Sequence, residues 1–237
     1  MIISHKYRFI FLKTSKTAGT SVEIALSRFC GPDDIITPIS SDDEETRRTL
    51  GGWGPQNYSA PVWRHSPTDL WKHLTKKKPL LYYYNHMPAR KIKNRIDPEV
   101  WNNYYKFCIE RNPWDRVISQ YYWRQRHLEN NSMPCVSDFL ESKDVRSLKR
   151  KGYRLYTIRN QVAVDRICRY ESLEQDLEEV RQHLGIPEQL QLPKAKSGIR
   201  KDKRHYSQAL NQAERNRIAD LFSEEINLMG YRFIDHS

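Results

Sequence analysis

Glycine and proline are scarce in this chain of 237 residues, at 9 and 12, and cysteine is scarcer, at 4. That excludes collagen-like and low-complexity chains. The cysteines, Cys30, Cys108, Cys135 and Cys168, are scattered, with neither zinc-ligand spacing nor the density of a disulfide scaffold. Cys108 and Cys168 lie in apolar runs, where a thiol acts as a small buried hydrophobe. Reduced thiols and a cytoplasmic protein are therefore expected. No apolar run approaches the roughly 18 residues of a membrane span. The amino terminus enters a strand-like segment almost at once and has no small-residue cleavage site, so no signal peptide is expected. Acidic residues are also in deficit, 29 against 40 Lys and Arg, which leaves a formal net charge of +11.

Hydrophobic residues make up only 38%, but 14 Tyr and 6 Trp add large amphipathic area and argue against disorder. A chain of this length buries roughly 70% of its extended surface, enough for one sizeable core. The positive charge calls for an anionic partner: nucleic acid, an acidic lipid surface or a phosphorylated small molecule.

Residues 9–12 form a short continuous apolar run suited to a buried parallel strand. A small, polar stretch follows, and Thr20 or Ser21 can cap a helix running through Leu26 and Phe29. From 31 to 67 the pattern dissolves into Pro, Gly and an acidic cluster at 42–45, read as a lid or substrate-binding excursion. Further strands are expected at 79–84, 105–109 and 165–170, with helices at 69–74, 89–96, from 114 towards 128, at 173–184 and at 212–222. Alternating strands and helices predict a single α/β domain in three layers, with a central parallel sheet flanked by helices.

Two segments carry the chemistry. KTSKTAGTS at 13–21 lies between a buried strand and a helix, where small residues let backbone N–H groups close around a phosphate. It is not a Walker A loop, because Lys16 precedes Gly19 instead of following it. An ordinary polar turn also fits this stretch taken alone. ERNPWDRVISQY at 110–121 likewise runs from a strand end into a helix. Arg111 would stand at the carboxyl edge of the sheet, where open α/β folds bind ligands. Ser119, two helical turns on, could share one phosphate with it; the bland alternative makes it a solvent-facing residue.

Together these motifs resemble the PAPS-dependent sulfotransferases, especially the carbohydrate-type branch called sulfotransferase family 2. KTAGTS at 16–21 matches the family's loop for the 5′-phosphosulfate, and RNPWDR at 111–116 with Ser119 and Tyr121 its 3′-phosphate element. RYESL at 169–173 matches a later strand end whose tyrosine, here Tyr170, contacts adenine; His205, Tyr206 and EINLMGYRF at 225–233 resemble the closing pattern. The resemblance implies a P-loop-like fold and sulfuryl transfer from PAPS, without metal, to a hydroxyl or amine of a saccharide or small natural product. It implies that Lys16 neutralises the leaving 5′-phosphate and that Thr17, Ala18, Gly19, Thr20 and Ser21 cradle it. Arg111 and Ser119 would hold the 3′-phosphate, with Arg200 and Lys201 of the basic tract 194–205 closing over it.

His86 follows the aromatic run 80–84 and is the candidate general base, with the acidic residues 42–45 in reserve. His65, His73 and His127 are expected on the surface or in a lid. Two other functions compete: a P-loop nucleotide kinase or NTPase, which lacks its lysine placement here, and a basic nucleic-acid-binding module, which explains only the charge. No nucleic-acid partner is expected on the first reading.

Overall fold

The computed structural model describes residues 1–77, 79–125, 134–193 and 205–235. Seven strands are present among them: β1 (Ile2–Ser4), β2 (Phe9–Leu12), β3 (Ile35–Ile36), β4 (Tyr105–Glu110), β5 (Thr157–Ile158), β6 (Gln161–Val162) and β7 (Arg166–Arg169). The amino-terminal half carries the helices α1 (Gly19–Ser27), α2 (Ser41–Thr49), α3 (Pro67–Lys76), α4 (Ala89–Lys93) and α5 (Pro98–Asn103). The rest carries α6 (Pro113–Gln125), α7 (Val136–Leu140), α8 (Lys143–Arg150), α9 (Tyr153–Tyr156), α10 (Leu173–His183), α11 (Tyr206–Ala209), α12 (Gln212–Leu221) and α13 (Ser223–Met229).

The central sheet has the order β3-β1-β2-β4-β7. β2, β4 and β7 are parallel, with Phe11 beside Phe107 and Cys108 beside Ile167, while β1 runs antiparallel to both β2 and β3. Side chains alternate between two buried faces, as strands covered on both sides require. Phe9, Phe11, Phe107 and Ile109 pack against Val22 and Leu26 of α1 and Leu177 and Val180 of α10. Ile10, Leu12 and Cys108 face the other way, onto Tyr82, Tyr83, Met87, Ile92, Trp101 and Tyr156. A third cluster joins α6, α7 and α8 to α12 and the carboxyl-terminal segment. The result is the expected three-layer α/β fold with a mostly parallel sheet. All four cysteines are free, and all but Cys135 are buried.

Several expectations need correcting. Residues 79–84 are not a strand. The sheet positions on both sides of β2 are occupied by β1 and β4, so the Tyr83 N–H bonds instead to Tyr58 O at 2.9 Å. The 31–67 excursion contributes β3 to the sheet and contains α2, whose first turn holds Asp42, Asp43 and Glu44. Acids at that end complement the helix dipole. The N-cap of α1 is Ala18, not Thr20 or Ser21, because the preceding loop turns on left-handed backbone at Lys16 and Ala18. His65 is buried and edge-on to Tyr82; His73 is exposed, and His127 lies outside the described residues.

Candidate active site

The carboxyl ends of β2 and β4 stand side by side, and the two sequence motifs leave the sheet there. Lys16 at φ 65° and Ala18 at φ 56° flank Thr17, and such changes of backbone hand curl successive N–H groups into an anion-binding concavity. Ala18 offers no side-chain cap to α1, so the first-turn N–H groups keep no capping partner from it. Gly19 keeps this turn close to the sheet: a Cβ there would stand 2.8 Å from Lys13 Cγ. The Thr17 hydroxyl is buried 2.8 Å from Thr14 Oγ1, and Thr14 Oγ1 itself donates to Ile109 O on β4. Thr17 is thus left with its backbone N–H for a ligand, whereas Thr20 and Ser21 are half-buried at the start of α1.

Arg111 ties the motifs together. Its Nη1 donates to Lys16 O at 3.1 Å, and its Nε donates to Asp115 Oδ2 at 2.8 Å. The guanidinium carbon stacks 4.0 Å from the centroid of the Tyr170 ring. Nη2 also lies 2.7 Å from Asp115 Oδ2, and a planar guanidinium held at all three nitrogens and on one face loses little freedom when its remaining N–H bonds meet an oxyanion. Ser119 lies on α6, half-buried. The Lys16 ammonium lies 5.2 Å from the Trp123 ring centroid, so α6 also touches the loop's lysine. Arg200 and Lys201 lie outside the described residues.

His86 comes from the opposite side. Its backbone is left-handed, φ 57°, and its Nδ1 lies 2.9 Å from Lys13 O. With Nδ1–H donating to that carbonyl, Nε2 carries the lone pair. Burial, reinforced by the Lys13 and Lys151 ammonium groups, pushes its pKa down to about 3, so the ring is neutral at physiological pH. The reserve carboxylates are otherwise engaged: Glu44 accepts from Arg47 and Glu45 from Arg48, Asp43 accepts from Ser40, and Asp42 accepts from Ser41 at 3.3 Å.

The pairings of five supporting residues, Lys13, Glu23, Arg47, Arg116 and Lys151, escape sequence reasoning. Lys13 pairs with the fully buried Glu23 at 2.8 Å, and Arg47 lies 3.4 Å from the same carboxylate. Arg116, also fully buried, donates to Ser15 O at 2.9 Å and to Glu110 Oε1 at 2.7 Å, bracing the loop from below. Lys151 accepts the Ser15 N–H at 3.0 Å through its carbonyl, and burial lowers its ammonium pKa. Ser15 meets Arg116 and Lys151, and Glu23 meets Arg47, across long stretches of sequence, so no local signal marks those contacts. The closing pattern docks through Glu171, which accepts from the Asn112 N–H at 2.6 Å and from the Tyr231 hydroxyl at 3.2 Å.

The profile of the Sulfotransferase family matches residues 1–232. The chain belongs to that family. This sulfotransferase is 35% identical over 105 residues to an uncharacterized protein of Archaeoglobus fulgidus, a match covering 44% of this chain and 87% of that one. A crystal structure of a sulfotransferase from Alicyclobacillus acidocaldarius superposes with a TM-score of 0.47 at 13% identity, over 95% of this chain and 96% of the other. Among its described residues, no helix of the sulfotransferase is long and apolar enough to cross a membrane, and no group of three or more His, Cys, Asp or Glu could hold a metal ion.

Proposed function

We propose that this sulfotransferase moves the sulfuryl group of PAPS, without metal, to a hydroxyl or amine of a saccharide or small natural product. The observation that carries this reading is the meeting of three distant segments at Arg111: the Lys16 carbonyl, Asp115 and the Tyr170 ring. PAPS has two separated anions joined to an adenine. The loop 16–21 would take the 5′-phosphosulfate, Arg111 and Ser119 the 3′-phosphate, and Tyr170 the base. Arg200 and Lys201 would close over the 3′-phosphate.

Transfer is in line. As the acceptor oxygen or nitrogen bonds to sulfur, the sulfur–oxygen bond to the 5′-phosphate breaks and its electron pair stays on that phosphate. The Lys16 ammonium neutralises this growing charge. The acceptor's proton goes to His86 Nε2, whose orientation is set by Nδ1 at the Lys13 carbonyl. Burial, with the Lys13 and Lys151 charges added, depresses the His86 pKa; the negative charge of a bound polyanion acts against that depression and strengthens the base when it is needed.

Calorimetric titration with 3′-phosphoadenosine 5′-phosphate in EDTA tests the reading. Binding under these conditions, with none by ATP at the same concentration, is the expected result. ATP binding that requires magnesium would favour an NTPase and overturn it. Arg111→Ala should weaken this binding by roughly 10–100-fold, since one charge-assisted contact contributes about 1.5–3 kcal/mol. Arg111→Lys should recover only part of it, because the fork on Asp115 and the stack on Tyr170 are lost.

A further inference from the structure

Nine large apolar side chains are exposed among the described residues, and six of them fall between Leu50 and Leu74. Trp63 is 84% exposed and Leu74 78%, with Val62 and Trp71 beyond half. α3 explains the concentration: it has no buried residue and is amphipathic in the reverse sense for a soluble surface helix. Its docked side is polar, because Asp69 pairs with Arg95 and lies 3.4 Å from Lys91. At the helical repeat, Trp71 and Leu74 share an arc whose centre is turned roughly 170° from Asp69, with the half-buried Leu70 at its edge. The apolar arc therefore faces solvent.

The charge around this arc is of one sign. Lys76 and Lys77 close the carboxyl end of α3, while Lys72 lies on the Asp69 side at the helical repeat and Arg64 stacks on the Tyr82 ring; the one carboxylate of residues 62–77, Asp69, is already paired. The Lys76 ammonium lies 5.8 Å from the Trp71 ring centroid, a cation set against an aromatic body. Trp and Leu on one side with lysines beside them suit a bilayer interface, where the rings and aliphatic chains enter and the ammonium groups stay at the headgroups. A second copy of the chain fits less well, because it brings the same +11 and the same cationic rim.

We propose that α3 is a peripheral membrane-binding element that seats Trp71 and Leu74 in an anionic lipid bilayer. It does not depend on the sulfuryl-transfer reading. The test is co-sedimentation of the full chain with vesicles of phosphatidylcholine alone or with about 30% phosphatidylserine, a leaflet-like anionic content. Binding to the anionic vesicles is expected to be at least about tenfold tighter, and to weaken as salt is raised. The double substitution Trp71→Ser, Leu74→Ser should weaken it about tenfold or more with little change in melting temperature, since both side chains are more than half exposed. Absence of binding to anionic vesicles, or wild-type binding by the double variant, overturns the proposal. So does light scattering that finds a lipid-free dimer which the same substitutions convert to monomer.

Discussion

Lys16→Ala is expected to lower kcat by about 10²–10³-fold, the cost of removing one preorganised partner of a developing oxyanion. Charge on the bridging oxygen of the 5′-phosphate is greatest in the transition state, so the loss in kcat should exceed the loss in affinity for 3′-phosphoadenosine 5′-phosphate. Single turnover with bound PAPS isolates the chemical step, and calorimetry supplies the affinity. The structure supports this division of labour. The Lys16 backbone is held by Arg111 through its carbonyl while its ammonium reaches towards Trp123, so the backbone can hold a ligand after the ammonium is removed. Equal losses in rate and affinity would make Lys16 a binding residue only.

His86→Ala should cut kcat by roughly 10²–10⁴-fold while leaving affinity for the desulfated product nearly unchanged. Its pH dependence is the sharper signature. A base works when neutral, and the free protein holds His86 neutral down to about pH 3. A plot of kcat/KM for PAPS, which reports the free protein, should therefore show no histidine limb near pH 6.5. The limb in kcat, which reports the complex, should lie at higher pH than that of the free protein, because the bound anion raises the proton affinity of His86. Comparing the ratio of wild-type to variant rates with one hydroxyl acceptor removes the donor's own phosphate ionisation. A variant that keeps the wild-type rate and profile would make His86 structural, its ring serving to tether the Lys13 carbonyl.

What could be read in the sequence divides along physical lines. The apolar run of β2, the loop after it and the start of α6 are local signals, and in the structure Arg111 donates to the Lys16 carbonyl between them. The aromatic run at 79–84 carries the same apolar signal as a strand, but pairing depends on a free sheet edge, and β2 has none left beside it. β1, three residues long, is too short to register as a pattern yet completes that sheet. α2 was hidden because its surface is acidic and basic, without an apolar period; what supports it are first-turn acids and i,i+3 pairs such as Glu44 with Arg47. The buried ions behind the loop were hidden for another reason. Glu23 meets Lys13, the terminal amine of Met1 and Arg47, and Arg116 meets Glu110 and Ser15 O, through contacts that exist only once the chain has folded.

Sulfuryl transfer itself is tested most directly by incubating the protein in EDTA with PAPS and a panel of hydroxyl and amine acceptors, with products detected by mass. The account predicts sulfated product and 3′-phosphoadenosine 5′-phosphate in equal amounts, both suppressed in Lys16→Ala. Intact PAPS throughout, with ATP turned over once magnesium is supplied, would contradict it.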